Sequence, residues 1–162
     1  MLELNGLAMK VVLLGIPPIP SDNNLYQNNR GGGRRLGDRG RNLKATLVLL
    51  FLEQMGKNRK AVTDYLNGNE RVNFNMVLGV PQSVLVTKAG KPKRWDAVNH
   101  HKLAEDAFTV ACTRFRPDWD DNRHRPFSIG AMVTGDDRHH LAVTLTDPGP
   151  QDPIWSDWFP GG

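Results

Sequence analysis

Residues 91–106, KPKRWDAVNHHKLAED, organise the rest of this sequence. The stretch passes from a basic loop with a proline into a pattern typical of a helix, with Asp96 at the entry as an N-cap. Asn99, Lys102 and Asp106 follow at spacings of three and four residues, so they share one polar flank of the predicted helix. The neighbouring apolar flank consists of Leu103, Ala107, Val110 and Ala111. A carboxylate, an amide and a lysine on one flank suit metal-assisted chemistry on phosphate; a solvated helix face is the alternative.

The hydrophobic pattern around this segment predicts an α+β fold. Helices are predicted at 42–66, with an interruption near Gly56, and at 96–113, and strands at 10–16, 71–80, 83–88, 127–134 and 141–146. The last two strands are expected to form a hairpin through the turn 135–138. We expect one domain over 1–147, built as a mixed or antiparallel sheet with helices packed on one face. A tail rich in proline and glycine follows at 148–162.

Basic residues are concentrated in two segments of a chain whose net charge is +4. The first segment lies in a predicted loop at 17–41 and the second lies shortly before Asp96. Their members are Arg30, Arg34, Arg35, Arg39 and Arg41, and Lys88, Lys91, Lys93 and Arg94. Such clusters favour a polyanionic partner, because these side chains contact phosphates and Tyr26 can stack on a base. An ordinary flexible connection at 17–41 is the alternative.

The sequence predicts neither export nor membrane insertion. The apolar runs at 11–16 and 47–52 are far shorter than the roughly 20 residues that span a bilayer. The single cysteine, Cys112, excludes an intramolecular disulfide and fits a reducing compartment. We therefore expect a cytoplasmic protein without a membrane partner. The run 47–52 is apolar on all sides, which indicates either deep core or a dimer interface.

Two acidic pairs are candidates for a metal site. The pair 136–137 lies in the predicted hairpin turn, where Gly-Asp-Asp is ordinary turn chemistry. Asp120 and Asp121 lie between the central helix and the next strand, where they can face Asp96, and converging carboxylates are the usual ligands of Mg²⁺. The histidine pairs 100–101 and 139–140 are poor zinc ligands, because neighbours in sequence point apart. The glycines at 31–33 lack the rest of a phosphate-binding loop, so no small-molecule cofactor is expected.

Three stretches together resemble the RusA-type Holliday junction resolvases, a family of bacteria, prophages and phages. PSDNNLYQNNRGGGRR at 20–35 resembles the family's opening motif, PPSNN…Y…NRG. RWDAVNHHKLAEDAF at 94–108 resembles its signature RDxDNxxKxxxDAL. DDNRHRPFSIGAMVTGDDRHHLAVTLTD at 120–147 resembles its acidic pair, strand, turn and closing strand. The resemblance covers roughly residues 11–147, in the family's order.

This resemblance implies a homodimeric α+β endonuclease that binds four-way DNA junctions and hydrolyses them with Mg²⁺, or Mn²⁺, in recombination and repair. It further implies a bacterial or phage-infected cell. Asp96, Asp121 and Lys102 match the catalytic positions, with Lys102 either stabilising charge on the scissile phosphate or orienting the nucleophilic water. Metal ligation is implied for Asp96, Asp120 and Asp121, and a supporting role for Asn99 and Asp106. The implied DNA-binding set is Asn23, Asn24, Tyr26, Arg30, Arg34, Arg35, Lys93 and Arg94.

One position departs from the family pattern, since Val98 stands where the motif has its second aspartate. Valine cannot ligate a metal ion. Three explanations follow. The chain is a silenced resolvase that binds junctions without cutting; one of Asp120 and Asn99 replaces the missing ligand; or Val98 is an introduced variant. A further alternative is an unrelated basic α+β module that binds RNA or a protein partner.

Overall fold

Strands and helices alternate along the chain in the computed structural model, which describes residues 1–5, 7–28, 32 and 34–147. In chain order, the elements are β1 (Leu2–Asn5), β2 (Ala8–Ile16), α1 (Asp22–Leu25), β3 (Tyr26–Asn28), β4 (Arg34–Leu36), α2 (Asp38–Gly56), α3 (Arg59–Gly68), β5 (Val72–Val80), α4 (Gln82–Leu85), α5 (Lys102–Cys112), β6 (His124–Val133) and β7 (His139–Thr146). Short 3₁₀ helices lie at Ala97–His100 and Asp121–Arg123. The tail at 148–162 lies outside the described residues, so its separation from the domain at 1–147 stays a prediction.

Five strands form one sheet in the order β1-β2-β7-β5-β6. Neighbouring strands run antiparallel except β5 and β6, which pair in parallel and are connected through α5. The short strands β3 and β4 form a separate antiparallel ribbon. The predicted α+β class, the mixed sheet and the placement of helices on one face are confirmed. A single chain does not show the predicted homodimer.

The alternation of burial along the strands determines which face of the sheet the helices cover. In β7, buried Leu141, Val143 and Leu145 alternate with half-buried Ala142 and Thr144, because successive side chains of a strand point to opposite faces. α2 and α5 cover the buried face, and their buried side chains include Leu47, Phe51, Leu103 and Phe108. The other face remains open around Leu14 of β2, which is 70% exposed.

The predicted hairpin between 127–134 and 141–146 is wrong. β5 lies between β6 and β7 and pairs with both, in parallel with β6 and antiparallel with β7. The connection 134–138 therefore passes over the end of β5, where the Thr134 N–H donates to the Val80 carbonyl at 2.9 Å. Two strand spacings amount to about 10 Å, a gap that a few extended residues cross. A connection of this length can therefore either join two adjacent strands in a tight hairpin or cross over one intervening strand.

Several local predictions also change in the folded chain. Residues 83–88, predicted as a strand, begin within α4 and reach an isolated bridge between Val86 and Pro92. The helix predicted at 96–113 begins as a 3₁₀ helix and becomes α-helical at Lys102. The predicted loop at 17–41 contains α1, the β3–β4 ribbon and the start of α2, and β1 was not predicted. The break near Gly56 is confirmed, since α2 ends there and α3 begins at Arg59.

Over the described part of the chain, no helix has both the length and the apolar character needed to cross a membrane. Cys112 is buried in α5, and burial raises the pKa of its thiol well above the ordinary value. Neither observation tests the cytoplasmic location, which stays a prediction.

Candidate functional site

Lys102 lies at the centre of a charged cluster at the start of α5. Its Nζ is 3.0 Å from Asp106 Oδ1, one turn along the helix, and 3.0 Å from Asp121 Oδ2 in the second 3₁₀ helix. The Oε2 atom of Glu105 is 3.5 Å away. Lys102 and Asp106 therefore meet as their helical spacing predicts, and the fold adds Asp121 from 19 residues further along the chain.

Two residues from the N-terminal half of the chain approach the same cluster. The Tyr26 hydroxyl in β3 donates to Asp106 Oδ2 at 3.5 Å, and Lys44 Nζ in α2 lies 3.6 Å from that oxygen. Asp106 thus connects α5 with both α2 and the β3–β4 ribbon. Tyr26 was expected to stack on a base, and in the structure its hydroxyl is held by a carboxylate.

A chain of buried polar groups continues behind Lys102. The Trp119 indole N–H donates to His124 Nε2 at 3.2 Å, and His124 Nδ1 lies 3.4 Å from Glu105 Oε1. An indole nitrogen only donates, so Nε2 must accept and the proton of the imidazole is on Nδ1, from which it donates to Glu105. His124 is fully buried and Glu105 is 5% exposed. Sequence reasoning missed both residues; the one available signal was Glu105 three positions after Lys102.

The electrostatics of the cluster hold its groups in their charged forms. Burial by itself lowers the pKa of Lys102, but hydrogen bonds to Asp106 and Asp121 outweigh it and raise that pKa above its ordinary value. The hydrogen bond from Lys102 lowers the pKa of Asp121. Burial opposes ionisation of Glu105, yet the bond from His124 and the charge of Lys102 leave its pKa lowered. A lysine held protonated in this way cannot act as a base; it ties α5 to the segment that precedes β6.

We predict that these carboxylates make the stability of the fold fall at acid pH. A carboxyl whose pKa is lower in the folded protein stabilises it above the unfolded pKa, and this contribution is lost as pH falls through the folded pKa. Because Glu105 and Asp121 have lowered pKa values, the free energy of unfolding should decline below about pH 4. Urea denaturation at neutral pH and at about pH 3.5 measures that decline.

Matched variants assign the acid sensitivity to the cluster. In Glu105→Gln, the decline in unfolding free energy between the two pH values is expected to be smaller than in the parent protein. The exposed Glu53→Gln in α2 is the control and is expected to keep the full decline. Equal declines in both variants would show that Glu105 contributes nothing to the pH dependence.

The remaining predicted catalytic and metal-binding residues serve as helix caps. Asp96 is exposed, and its Oδ1 accepts from the Val98 N–H at 3.0 Å while its Oδ2 accepts from Asn99 Nδ2 at 3.4 Å. Asp120 Oδ1 accepts from the Asn122 N–H at 2.9 Å and begins the second 3₁₀ helix. Among the described residues, the hydrogen bonds and ion pairs that surround Lys102 include neither Asp96 nor Asp120.

The residues predicted to bind Mg²⁺ or Mn²⁺ are not arranged around a common metal position in this fold. Within the ranges that the structure describes, no three side chains of the histidine, cysteine, aspartate and glutamate types are grouped to hold a metal ion. The ammonium of Lys102 instead lies among the carboxylates of Glu105, Asp106 and Asp121. The residues as arranged do not fit a Mg²⁺ site, which needs several free oxygen ligands. Binding of the ion stays a prediction.

The residues predicted to bind DNA are divided between several places. Asn24 in α1, Arg35 in β4 and Arg94 before the first 3₁₀ helix are exposed. Lys93 donates to the carbonyl of Ser83. Arg30 and the side chains of Asn23 and Arg34 lie outside what the structure describes. Apart from Tyr26, none of the described members contacts the Lys102 cluster through a hydrogen bond or ion pair that the structure records.

A second candidate site is an apolar groove on the open face of the sheet. Its volume is about 460 Å³. Leu14 at 70% exposure and Met132 at 59% exposure belong to its lining. The other residues around it are Val12, Val77, Gly79, Val133, Thr134, Gly135, Asp136, His140, Leu141 and Ala142. The sequence carried a signal for this groove, because the run 11–14 is apolar at consecutive positions and therefore on both faces of β2.

These observations define an α+β domain with a charged cluster on its helical side and an apolar groove on its open sheet face. No family model matches the chain, and no curated protein matches it. Among solved structures, it is similar to the periplasmic domain of Helicobacter pylori MotB (residues 97–256), with 8% identity and a TM-score of 0.39, over 98% of this chain and 93% of that one. A second crystal structure of that domain (residues 90–256) has 10% identity and a TM-score of 0.38, over 99% and 90% of the two chains.

The interpretation as a RusA-type resolvase is wrong on these findings, since no family model matches and the similar structures above are MotB domains rather than resolvases. The predictions that followed from this interpretation are wrong as well: the endonuclease activity, the role in recombination and repair, the phage setting and the branched-DNA partner. The alternative of a silenced member that binds junctions is wrong for the same reason. Asp96 and Asp120, which carried part of the motif resemblance, lie at the starts of the two 3₁₀ helices, where aspartate is favoured as a cap.

Proposed function

We propose that this chain is a self-associating interaction domain and that its open sheet face binds a second copy. The observation that carries the proposal is the apolar groove, in which Leu14 and Met132 are mostly exposed. Exposed apolar patches of this kind mark protein-binding surfaces, because water is released when the patch is covered. The run 47–52, the alternative interface, suits this role less well, since Leu47 and Phe51 are buried in the chain's own core.

The shape of the face supports a second copy as the occupant. Leu14 on β2 and Met132 on β6 project from strands on opposite sides of β7 and β5. Gly79 on β5 and Ala142 on β7 line the space between them. A two-fold axis through the groove would place the projecting side chains of each copy in the hollow of the other, as a symmetric dimer requires.

The charges on the same face agree with this two-fold arrangement. Lys10 points to the same side of β2 as Val12 and Leu14, because these positions alternate along the strand. Asp136 lines the groove from the connection between β6 and β7, and Lys10 lies outside the lining, 3.4 Å from Glu3 of β1. A two-fold axis between the two residues would bring Lys10 of each copy towards Asp136 of the other, which favours one orientation of the dimer. The single buried thiol of Cys112 suits a reducing compartment, so we propose a cytoplasmic location for the dimer.

Self-association is tested by light scattering and analytical ultracentrifugation of the parent protein and of Met132→Asp. We expect a dimer at micromolar concentration, and a dissociation constant raised at least about 30-fold in Met132→Asp, the scale of one interface hot spot. Leu49→Asp is the matched control, because Leu49 is 67% exposed but lies on α2. A monomer throughout, or equal weakening by both variants, would contradict the proposal.

A further inference from the structure

The connection from β6 to β7 is fastened to an irregularity in β2. The pairing of β2 with β7 shifts between Leu14 and Ile16, which leaves Gly15 as a bulge with φ of +64°. The Gly15 N–H donates to His140 Nδ1 at 3.0 Å. On the other side of the same ring, His140 Nε2 is 2.9 Å from Asp136 Oδ1. The imidazole therefore bridges the bulge and the connection.

The protonation state of this imidazole follows from its two partners. A backbone N–H can only donate, so Nδ1 of His140 must be unprotonated to receive the bond from Gly15. The ring proton is then on Nε2 and is donated to the Asp136 carboxylate. The bridge requires a neutral imidazole. A proton added to Nδ1 would place two donors against each other, and the bond to Gly15 would be lost while the bond to Asp136 would be kept.

The bridge also shapes one wall of the apolar groove. Leu14 precedes the bulge, and Thr134, Asp136 and His140 line the groove. The connection is also held internally, because Thr134 Oγ1 lies 2.7 and 3.1 Å from the carbonyl oxygens of Asp136 and Arg138, either of which can accept its proton. Its bond to β5, from the Thr134 N–H to the Val80 carbonyl, does not depend on His140. Glycine is favoured at the bulge, since its φ is one that other residues rarely adopt.

Charged and titratable groups lie around His140 on the connection and along β7. On the connection, Asp136 Oδ1 is 2.9 Å from His140 Nε2, and Arg138 Nε is 3.5 Å from Asp136 Oδ2. Next to it in β7 is His139, whose pKa is lowered by burial and by the neighbouring His140 and His100. His100, from the first 3₁₀ helix, lines the same small cavity. The groups that β2 and β5 place near His140 carry no charge: they are the Gly15 N–H from β2 and Gly79 from β5.

We propose that the bridge from Gly15 through His140 to Asp136 is a pH-sensitive latch that shapes the groove for its partner and opens when His140 is protonated. The effect of the latch on the dimer rests on the proposed function, whereas the latch itself does not. It predicts that the dimer weakens as the pH is lowered from about 8 to about 5.5. The expected increase in the dissociation constant is about tenfold, the scale of one lost hydrogen bond.

The experiment measures the latch and the dimer separately. In NMR spectra recorded from about pH 8 to about pH 5.5, the Gly15 amide resonance is expected to shift in step with the His140 ring resonances. The dissociation constant is measured over the same range by analytical ultracentrifugation. His140→Gln, whose amide can accept from Gly15 and donate to Asp136, is expected to remove the pH dependence of the dissociation constant. His139→Gln is the control and is expected to retain it.

Each outcome supports or overturns one part of the proposal. If the Gly15 resonance does not move while His140 titrates, the latch does not exist. If the Gly15 resonance moves but the dissociation constant does not change, the latch does not shape the interface. If the protein is monomeric at every pH while Gly15 and His140 titrate together, the latch stands and the proposed self-association fails.

Discussion

Replacing Phe108 with alanine is expected to lower the free energy of unfolding by about 3–5 kcal/mol, the range found for buried aromatic side chains. Phe108 is fully buried in α5. Its ring packs edge-on against Phe51 of α2, with centroids 5.1 Å apart, and against Phe74 of β5 at 5.8 Å. One side chain thus joins both main helices to β5, and its removal leaves a cavity that three elements would have to close. Small domains are typically stable by about 5–15 kcal/mol, so this variant would be close to unfolding.

Urea denaturation at constant pH measures this effect. Val110→Ala is the matched control in the same helix, because Val110 is 38% exposed, and its cost is expected to be below about 1 kcal/mol. Phe108→Leu is expected to lie between the two, since it retains part of the apolar volume. A cost for Phe108→Ala as small as that of Val110→Ala would show that this contact does not hold the helices on the sheet.

Replacing Arg116 with methionine is expected to cost about 2–4 kcal/mol of unfolding free energy. Arg116 is 8% exposed and donates to the carbonyls of Leu66 and Asn69 at 2.8 and 3.1 Å. It also binds the carboxylates of Glu70 at 2.6 Å and Asp118 at 3.0 Å. Methionine would fill much of the space but would leave the two carbonyls without these donors. The segment between α3 and β5 would thereby lose part of its attachment to the segment after α5, while Arg123 would still bind Glu70 and Asp118.

Two further variants show whether the geometry of the guanidinium or only its charge matters. Arg116→Lys keeps the charge but not the planar fork, so it is expected to lose more than half of the stability lost by Arg116→Met. Arg114→Met, two residues earlier and exposed, is expected to change the free energy of unfolding by less than about 0.5 kcal/mol. If Arg116→Lys kept full stability in thermal and urea denaturation, the positive charge of Arg116 would suffice and the geometry of its guanidinium would not matter.

Sequence reasoning was reliable where a structure depends on neighbouring residues. The apolar flank of α5 was predicted correctly at Leu103, Ala107 and Ala111, which are buried, although Val110 is partly exposed. The strand β5 and the break after Gly56 were also located by local pattern. Sequence reasoning failed for the segment 17–41, because the ribbon formed by β3 and β4 depends on contacts with α2 and α5 rather than on its own composition.

The candidate sites show the same limit. The proximity of Lys102 and Asp106 follows from helical spacing, but Glu105 was assigned no role and its contact with His124 spans 19 residues. The apolar run of β2 indicated apolar side chains on both faces, yet only the sheet shows that Leu14 and Met132 flank one groove. Asp96 and Asp120 were predicted to bind a metal ion, which stays a prediction, and in the fold both side chains cap short helices.

The α+β class, the approximate positions of most helices and strands, and the cap at Asp96 could be predicted from local pattern. These features depend on side-chain period and on hydrogen bonds within a few residues. In contrast, the position of β5 between β6 and β7, the approach of Asp121 to Lys102 and the contact of His140 with the bulge at Gly15 became known from the folded structure. Those contacts arise when distant apolar surfaces pack together, and the free energy of that packing is a property of the whole chain rather than of any one segment.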